Sequence, residues 1–390
     1  MNRWQPDPGA PGWTPRTTTG AFTSAACLIA ALLAAPAPAR AEDRFIVQGL
    51  FDAELWKTDS GSRLLSRNEG DSATAGLLRL WTAGDFAPGL QGYALGYAYS
   101  GTAWEEEVGE EGGIDAEIEQ AFLRYTIQGP ARLQIEGGKI ATPAGDFYTR
   151  YFSSKNPLIG TPDNYSVTYP HGLKVSGWAG RFDYRAAAID LPMSNVNYVP
   201  EAGEAWRPLA GAGFTPLQGL RFGAYYTRGP YLGPEVQAGV PTGSDWSDFD
   251  QAVAGFEFQF SRGYFELRGD FTLSSYEVPT MARSARGRAW YVEPKYTFSP
   301  RLFAALRLEQ NEYPFIRLFP FGWIAPEATL VDVEAGVGWH LASGAILKVS
   351  YRRDQWIVDE TRKDMFPEGY ALAAQLSYTF DVVSWFERPR

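Results

Sequence analysis

The chain contains little cysteine and histidine, which limits the chemistry that it can perform. Cys27 is its single cysteine, and His171 and His340 are its two histidines. Cys27 lies in an apolar N-terminal stretch, so a chain that has lost this stretch has no disulfide and no thiol chemistry. Two histidines are too few for a transition-metal site, and their spacing supports no Ser-His-carboxylate triad. We predict a protein with no enzymatic activity, no cofactor and no metal site.

Long apolar runs are also missing. The longest run, from Ala25 to Ala35, is too short for a membrane-spanning helix. Two arginines precede this run and Ala39-Arg40-Ala41 follows it, a layout that predicts a cleaved export signal over residues 1–41. A lipoprotein signal ending at Cys27 is the alternative. It is disfavoured because the cysteine precedes most of the apolar run instead of ending it.

Positive charge is in deficit. The chain has 35 Lys and Arg against 45 Asp and Glu, a formal net charge of −10. Residues 1–41 contain three arginines and one aspartate, so their removal makes the charge −12. This acidity argues against a nucleic-acid partner. The acidic run at residues 105–111 is predicted to be a solvated loop, with divalent-cation binding as the alternative.

Apolar and polar residues alternate along most of the chain. At residues 264–273 one parity is apolar and the other ionic, and residues 331–341 repeat the pattern. Successive strand side chains point to opposite faces, so each strand presents one apolar and one charged face. A soluble sandwich or a propeller would bury the apolar faces, but they are too many for one core and no blade-length repeat is present. We predict an all-β transmembrane barrel with apolar residues facing lipid and polar residues lining water.

The connections alternate in length, which predicts about sixteen antiparallel strands in up-and-down order. Short joins fall near residues 87–89, 129–130, 179–180, 215–217, 261–263, 299–300 and 343–344, and long segments near 59–71, 101–113, 141–170, 192–204, 229–249, 275–286, 311–327 and 354–369. Short turns are expected on the periplasmic side, with both termini. The predicted barrel spans residues 42–380, followed by a periplasmic tail at 381–390.

The third long segment, residues 141–170, is predicted to fold into the lumen and narrow it, since some thirty residues without alternation indicate a functional loop. An ordinary external loop is the alternative. The predicted constriction residues are Asp146, Arg150 and Lys155 in this segment and Arg132, Glu136, Arg268, Arg307 and Glu309 on the wall. Other charged residues share the wall parity: Arg221, Glu257, Glu266, Asp270, Glu293, Lys295, Asp332, Glu334, Lys348 and Arg352. The acidic excess predicts a mild preference for cations.

Two motifs carry a resemblance to a family. Gly137-Gly138-Lys139 leads into Thr142-Pro143-Ala144-Gly145, and the strand from Tyr370 to Phe380 ends on an aromatic residue. Over roughly residues 44–380 the chain resembles the Gram-negative outer-membrane porins, and most closely the sixteen-stranded group that includes phosphate-selective members. Ten residues follow Phe380, whereas porins generally end on that aromatic residue. The third loop offers only Arg150 and Lys155, so phosphate selectivity is not carried over.

The resemblance implies an outer-membrane channel for passive diffusion of small hydrophilic solutes and ions. It also implies contact with outer-membrane lipid and lipopolysaccharide, assembly by the barrel-assembly machinery and a homotrimer. Two alternatives remain open at this point. One is a substrate-specific channel for an anion, a sugar or an organic acid, and the other is a non-conducting barrel that serves as an envelope anchor or a receptor.

Overall fold

A computed structural model shows sixteen antiparallel strands that close into one barrel. The structure describes residues 45–59, 72–101, 113–164, 167–193, 205–358 and 368–382. The predicted export signal, the acidic run at 105–111 and residues 383–390 lie outside these ranges. The barrel strands are β1 (Phe45–Thr58), β2 (Ser72–Ala87), β3 (Leu90–Gly101), β4 (Asp115–Ile127), β5 (Ala131–Lys139), β6 (His171–Ala179), β7 (Phe182–Ile189), β8 (Arg207–Leu217), β9 (Leu220–Pro230), β10 (Asp250–Arg262), β11 (Phe265–Tyr276), β12 (Ala285–Ser299), β13 (Leu302–Pro314), β16 (Glu327–Ala342), β17 (Ala345–Ile357) and β18 (Gly369–Asp381).

Each strand pairs with its neighbour along the chain, and the last strand pairs with the first. β13 pairs with β16, because β14 (Arg317–Phe319) and β15 (Gly322–Ile324) form a separate hairpin between them. Leu50 of β1 lies opposite Thr379 of β18 where the barrel closes. The predicted number of strands and their antiparallel order are confirmed.

The two faces of the strands are inverted relative to a soluble protein. On β16, Asp332 is 0% exposed and Val337 is 51% exposed. Likewise, Asp270 on β11 is buried while Leu273 is exposed. The charged parity therefore faces the interior of the barrel and the apolar parity faces its surroundings, as the alternation predicted.

Each short turn overlaps the join that the sequence predicts, with one exception. Residues 215–217 were expected to form the join between β8 and β9, but β8 continues to Leu217 and the turn lies at residues 218–219. Gly219 has a φ of +83°, and a side chain there would collide with the carbonyl of Ser261. The turn therefore forms where glycine permits a positive φ, not at the proline before it.

The longer connections at the opposite end contain short 3₁₀ helices and an apolar cluster. The 3₁₀ helices are Phe147–Thr149, Pro234–Gly239 and Trp246–Asp248. Tyr231, Ile316 and Trp323 belong to one buried cluster, and the indole of Trp323 donates to the carbonyl of Gly239 at 2.8 Å. Within the described ranges, no helix has the length and apolar character needed to cross a membrane.

Candidate functional site

The connection between β5 and β6, residues 140–170, is here named the β5–β6 loop. Its two ends are joined to each other. The amide of Ile140 donates to the carbonyl of Pro170, and that of Thr142 donates to Thr168, both at 2.9 Å. The hydroxyls of Thr142 and Thr168 are 2.6 Å apart. The ends thus form a narrow neck, and the residues between them contact strands far from β5 and β6.

Asp146 is the first wall contact after the neck. Its carboxylate accepts hydrogen bonds from Gln259 on β10 and, at 3.0 Å, from Arg268 on β11. The guanidinium of Arg150 is 3.5 Å from the same carboxylate. The 3₁₀ helix Phe147–Thr149 separates Asp146 from Arg150 and places both against the wall. One loop carboxylate thus joins two wall strands and a loop arginine.

Arg150 forms a buried ion pair with β12. It donates to a carboxylate oxygen of Glu293, and its Nη2 lies 3.2 Å from the hydroxyl of Tyr291. Arg307 on β13 donates to the other oxygen of Glu293 at 2.6 Å. Burial opposes the charged form of Arg150, but Glu293, Tyr291 and Asp146 together outweigh this effect and the pKa of Arg150 is raised. Glu293 is therefore held between a loop guanidinium and a wall guanidinium.

Lys348 on β17 holds the middle of the loop through its backbone. Its ammonium donates to the carbonyls of Ser153 at 2.9 Å, Asn156 at 3.2 Å and Leu158 at 2.9 Å. The hydroxyl of Ser153 donates to Asp52 on β1 at 2.6 Å. The three carbonyl acceptors match the three hydrogens of an ammonium group, so this buried lysine is fully hydrogen-bonded.

Glu334 and Arg307, which are 3.4 Å apart on neighbouring strands, bind the next two residues of the loop. The amides of Ile159 and Gly160 donate to Oε1 of Glu334 at 3.1 and 3.0 Å. The carbonyl of Gly160 accepts from Arg307 at 2.7 Å, and Arg307 also donates to the Asn156 side chain at 3.1 Å. A Cβ on Gly160 would be 2.7 Å from the Glu334 carboxylate, so any other residue here would displace that carboxylate.

The last contacts involve Asp163 and Asn164. The amide of Asp163 donates to Glu309 at 2.8 Å, and its carboxylate accepts from Arg352 at 2.6 Å. The amide group of Asn164 donates to Asp270 on β11 at 3.4 Å. Residues 146–164 of the loop therefore contact wall residues on β1, β10, β11, β12, β13, β16 and β17.

An aromatic contact attaches the loop to β2. Arg79 forms an ion pair with Glu119 at 3.2 Å. Its guanidinium lies 4.1 Å from the ring centre of Tyr97 and 5.1 Å from that of Tyr151 in the loop. Arg79 is buried, so these cation–π contacts replace the water that the charge has lost.

The structure brings together five of the predicted constriction residues through the loop. Asp146 contacts Arg150 and Arg268 directly. Arg307 and Glu309 bind loop backbone atoms instead of loop charges. The sequence predicted opposed charges across an opening, whereas most of these charges form hydrogen bonds that attach the loop.

The other three predicted residues lie elsewhere. Arg132 sits near a short turn, with its guanidinium 4.9 Å from the ring centre of Trp178. Glu136 forms an ion pair with Arg124 at 2.8 Å on the neighbouring strand. Lys155 is in the loop, but its side chain is exposed.

Four residues that hold the loop were not selected from the sequence. Glu293, Glu334, Lys348 and Arg352 all share the inward parity, which the alternation identified. Parity gives the face of a strand, but it does not show which inward groups a loop touches. The available signal for these contacts was the segment Asn156-Pro157-Leu158-Ile159-Gly160. Its proline and glycine interrupt regular structure, which leaves backbone groups for side chains to bind.

The two histidines have separate surroundings. His171, at the start of β6, donates its backbone amide to Asp190 at 2.8 Å, and its ring Nδ1 is 3.2 Å from the same carboxylate. His340, near a short turn, packs with a ring-centre distance of 5.6 Å to Phe303. The prediction that the chain is not an enzyme stays a prediction.

Several solved outer-membrane proteins have a similar fold. OmpF of Salmonella typhi, solved in complex with daunomycin, has a TM-score of 0.55 and 14% identity, covering 86% of this chain and 97% of OmpF. OmpT of Vibrio cholerae has a TM-score of 0.54 and 12% identity, covering 86% of this chain and 97% of OmpT. OpdK of Pseudomonas aeruginosa, solved with vanillate, has a TM-score of 0.50 and 10% identity, covering 87% of this chain and 99% of OpdK.

No protein-family model and no curated protein sequence matches the chain. At 10–14% identity, the structural likeness shows the fold alone. The chain thus has the closed sixteen-stranded barrel fold of outer-membrane proteins.

Proposed function

We propose that this chain is a porin of the outer membrane of a Gram-negative bacterium, through which small hydrophilic solutes and ions diffuse passively. The observation that carries the proposal is the inverted barrel. Val337 and its outward-facing neighbours are exposed, whereas charged residues such as Arg307 and Glu334 are buried inside the barrel. Hydrocarbon stabilises the first set, and a polar interior accommodates the second.

Exposed aromatic residues support the membrane location. Near the short turns, Tyr264, Phe298 and Trp339 are exposed, and near the long connections Trp206 and Tyr370 are exposed. Aromatic side chains favour the two membrane–water interfaces, where an apolar ring meets a wet headgroup region. Two such bands are expected on a barrel that spans a bilayer.

The β5–β6 loop is the proposed constriction. Its attachment to Arg268, Glu293 and Lys348, on strands across the barrel from β5, supports a course through the lumen. Such a loop excludes solutes by size, and the charges beside it select among ions, without any covalent step. Asp146 and Arg150 are the loop residues that set its position.

Two ion pairs on the inner wall expose their basic partner to water. In the Arg124–Glu136 pair, the arginine side chain is 34% exposed and the carboxylate 3%. In the Arg268–Asp146 pair, the values are 30% and 1%. In these two pairs the acid is buried and the base faces water, so the accessible charge at these two points is basic, whereas Asp183 and Glu266 are the more exposed partners of their own ion pairs. We therefore propose a weak anion preference instead of the cation preference expected from net charge.

A closed or non-conducting barrel is the second candidate function. Arg307, Lys348 and Arg352 are almost completely buried, although they point into the barrel. Loop atoms occupy the space that water would fill in an open pore at their level. A barrel of this kind opens only when the loop moves, or serves as an anchor or receptor.

Other parts of the proposal rest on the sequence. They are export by a signal at residues 1–41, assembly by the barrel-assembly machinery, contact with lipopolysaccharide, and a homotrimer. We also propose that the chain belongs to the group that includes phosphate-selective porins, without itself being selective for phosphate. A substrate-specific channel is distinguished by saturable block of the current by one solute.

Single-channel recording in planar bilayers tests the proposal. The mature protein is first shown to be folded by a gel mobility that changes on heating. This folded protein is then expected to give discrete conductance steps. Refolded protein without steps at any voltage overturns the porin assignment and supports the closed barrel. Swelling of liposomes in sugars of increasing size then measures the exclusion limit.

A further inference from the structure

Three carboxylates occupy one row across the inner wall. Glu309 on β13 lies directly opposite Asp332 on β16, and Asp332 lies opposite Asp354 on β17. The adjacent row, Arg307, Glu334 and Arg352, alternates in sign. Like charges directly opposite each other on neighbouring strands are destabilising. The acidic row therefore needs a compensating positive charge.

A fourth carboxylate reaches the row from the β5–β6 loop. Asp163, Glu309 and Asp332 are all buried, and each offers one oxygen within 4.8 Å of the others. The amide of Asp163 donates to Glu309 at 2.8 Å, which fixes the loop beside the row. The group thus combines two wall strands with one loop residue.

Arg352 compensates only part of this charge. Its guanidinium donates to Asp163 at 2.6 Å and to Asp354 at 2.9 Å. It is 3.0 Å from Oδ2 of Asp332 and 3.3 Å from Oε1 of Glu309, but neither approach has hydrogen-bond geometry. Arg352 thus forms ion pairs with all four carboxylates.

Asp332 gives a second and independent sign of a missing ligand. It is completely buried, and within the described part of the chain neither of its carboxylate oxygens receives a hydrogen bond. Oε1 of Glu309 is in the same condition. A buried carboxylate without donors is costly unless a cation coordinates it.

We infer that Asp163, Glu309 and Asp332 bind a divalent metal ion, and that the ion is Ca²⁺. Hard cations prefer carboxylate and carbonyl oxygens, and Ca²⁺ accepts irregular geometry with six to eight ligands, some of them water. Two ligands of one Ca²⁺ ion, each at about 2.4 Å, are at most about 4.8 Å apart. The three oxygens meet this limit.

The ion would connect the loop to the wall. Asp163 belongs to the β5–β6 loop, while Glu309 and Asp332 belong to β13 and β16. Bound Ca²⁺ cancels the repulsion within the acidic row and holds residues 161–164 in place. Chelation releases this end of the loop and leaves the contacts of Asp146 and Arg150 intact.

Isothermal titration of the folded barrel with CaCl₂ in a zwitterionic detergent tests the inference. We expect saturable binding of one Ca²⁺ per chain, weakened by about tenfold or more in Asp332→Asn and Asp163→Asn, because each removes a charged ligand. Glu312→Gln is the matched control. Glu312 is on the same strand as Glu309 but pairs with Arg288 at 2.5 Å, outside the cluster, and this variant should bind as the unaltered protein does.

A second control replaces the five glutamates of residues 105–111 with glutamine, since that acidic run is the competing cation site. Retained binding in this variant and lost binding in Asp163→Asn support the inference. No binding to the unaltered protein, unchanged binding in Asp332→Asn or Asp163→Asn, or loss on removing the acidic run overturns it. Asp163→Asn changes a loop residue and decides the question if Asp332→Asn does not fold.

Discussion

Arg150 and Glu293 form a buried ion pair although 143 residues separate them in the sequence. Glu293 accepts at the same time from Arg307, its neighbour on β13, at 2.6 Å. Arg307 binds one oxygen of this carboxylate from the wall, and Arg150 binds the other oxygen from the loop. The position of the β5–β6 loop is therefore set by a carboxylate that the barrel wall has already oriented.

Replacing Arg150 should loosen the loop without unfolding the barrel. In Arg150→Ala, Glu293 keeps Arg307 as its partner, so the loss is limited to the charge-assisted hydrogen bonds of Arg150, about 2 kcal/mol. Amide hydrogen exchange of peptides from residues 145–160 should accelerate. Lys155→Ala is the control, since Lys155 is an exposed lysine of the same loop. Equal exchange in the two variants contradicts the role of Arg150.

Gly160→Ala should destabilise the same loop by a steric route. The added methyl group would lie 2.7 Å from the Glu334 carboxylate, which accepts the amides of Ile159 and Gly160. Overpacking of this kind costs about 1–3 kcal/mol. The temperature at which the barrel loses its folded gel mobility should fall. Gly76→Ala, where a methyl group meets nothing within 4 Å, should leave it unchanged.

A charge on the outer face should be tolerated near the membrane interface and not at mid-height. Val333 is outward-facing near the middle of β16, and Leu341 is outward-facing beside its short turn. Val333→Lys should cost about 2–4 kcal/mol of folding free energy in lipid vesicles, and Leu341→Lys about 0–1 kcal/mol. Equal, small costs at both positions would indicate that water, not lipid, surrounds the barrel.

Ion selectivity should follow the exposed partners of the inner ion pairs. Reversal potentials in a salt gradient should show a weak anion preference, because Arg124 and Arg268 face water while Glu136 and Asp146 are buried. Arg124→Gln together with Arg268→Gln should move the reversal potential towards cation selectivity. A cation preference in the unaltered channel refutes this reasoning and restores the expectation from net charge.

The barrel was predictable because its rule is local. Asp332 and Val333 differ in face because they are adjacent in a strand, and no knowledge of the rest of the chain is needed to see it. Turn positions required more. The turn after β8 lies at Gly219 and not at the proline before it, because the turn requires a positive φ that glycine adopts easily.

The site was less predictable because its contacts are between distant residues and often involve the backbone. Lys155 was selected for its charge and position, yet it is exposed, while Lys348 holds the loop through three carbonyl groups. Every residue has a backbone carbonyl, so the sequence does not show which carbonyls accept a side-chain hydrogen bond. Glu309 was selected as a wall residue from its parity, but its place in a row with Asp332 and Asp354 depends on the register of three strands.

The pairing of β1 with β18 means that the two ends of the chain complete a single seam. Translation that stops before Gly369 would leave β1 and β17 with open backbone edges, and hydrocarbon offers such edges no partner. Insertion must therefore wait for the last thirteen-residue strand, and a truncated product has no stable place in a bilayer. A chain that lacks the final strand therefore cannot close the barrel.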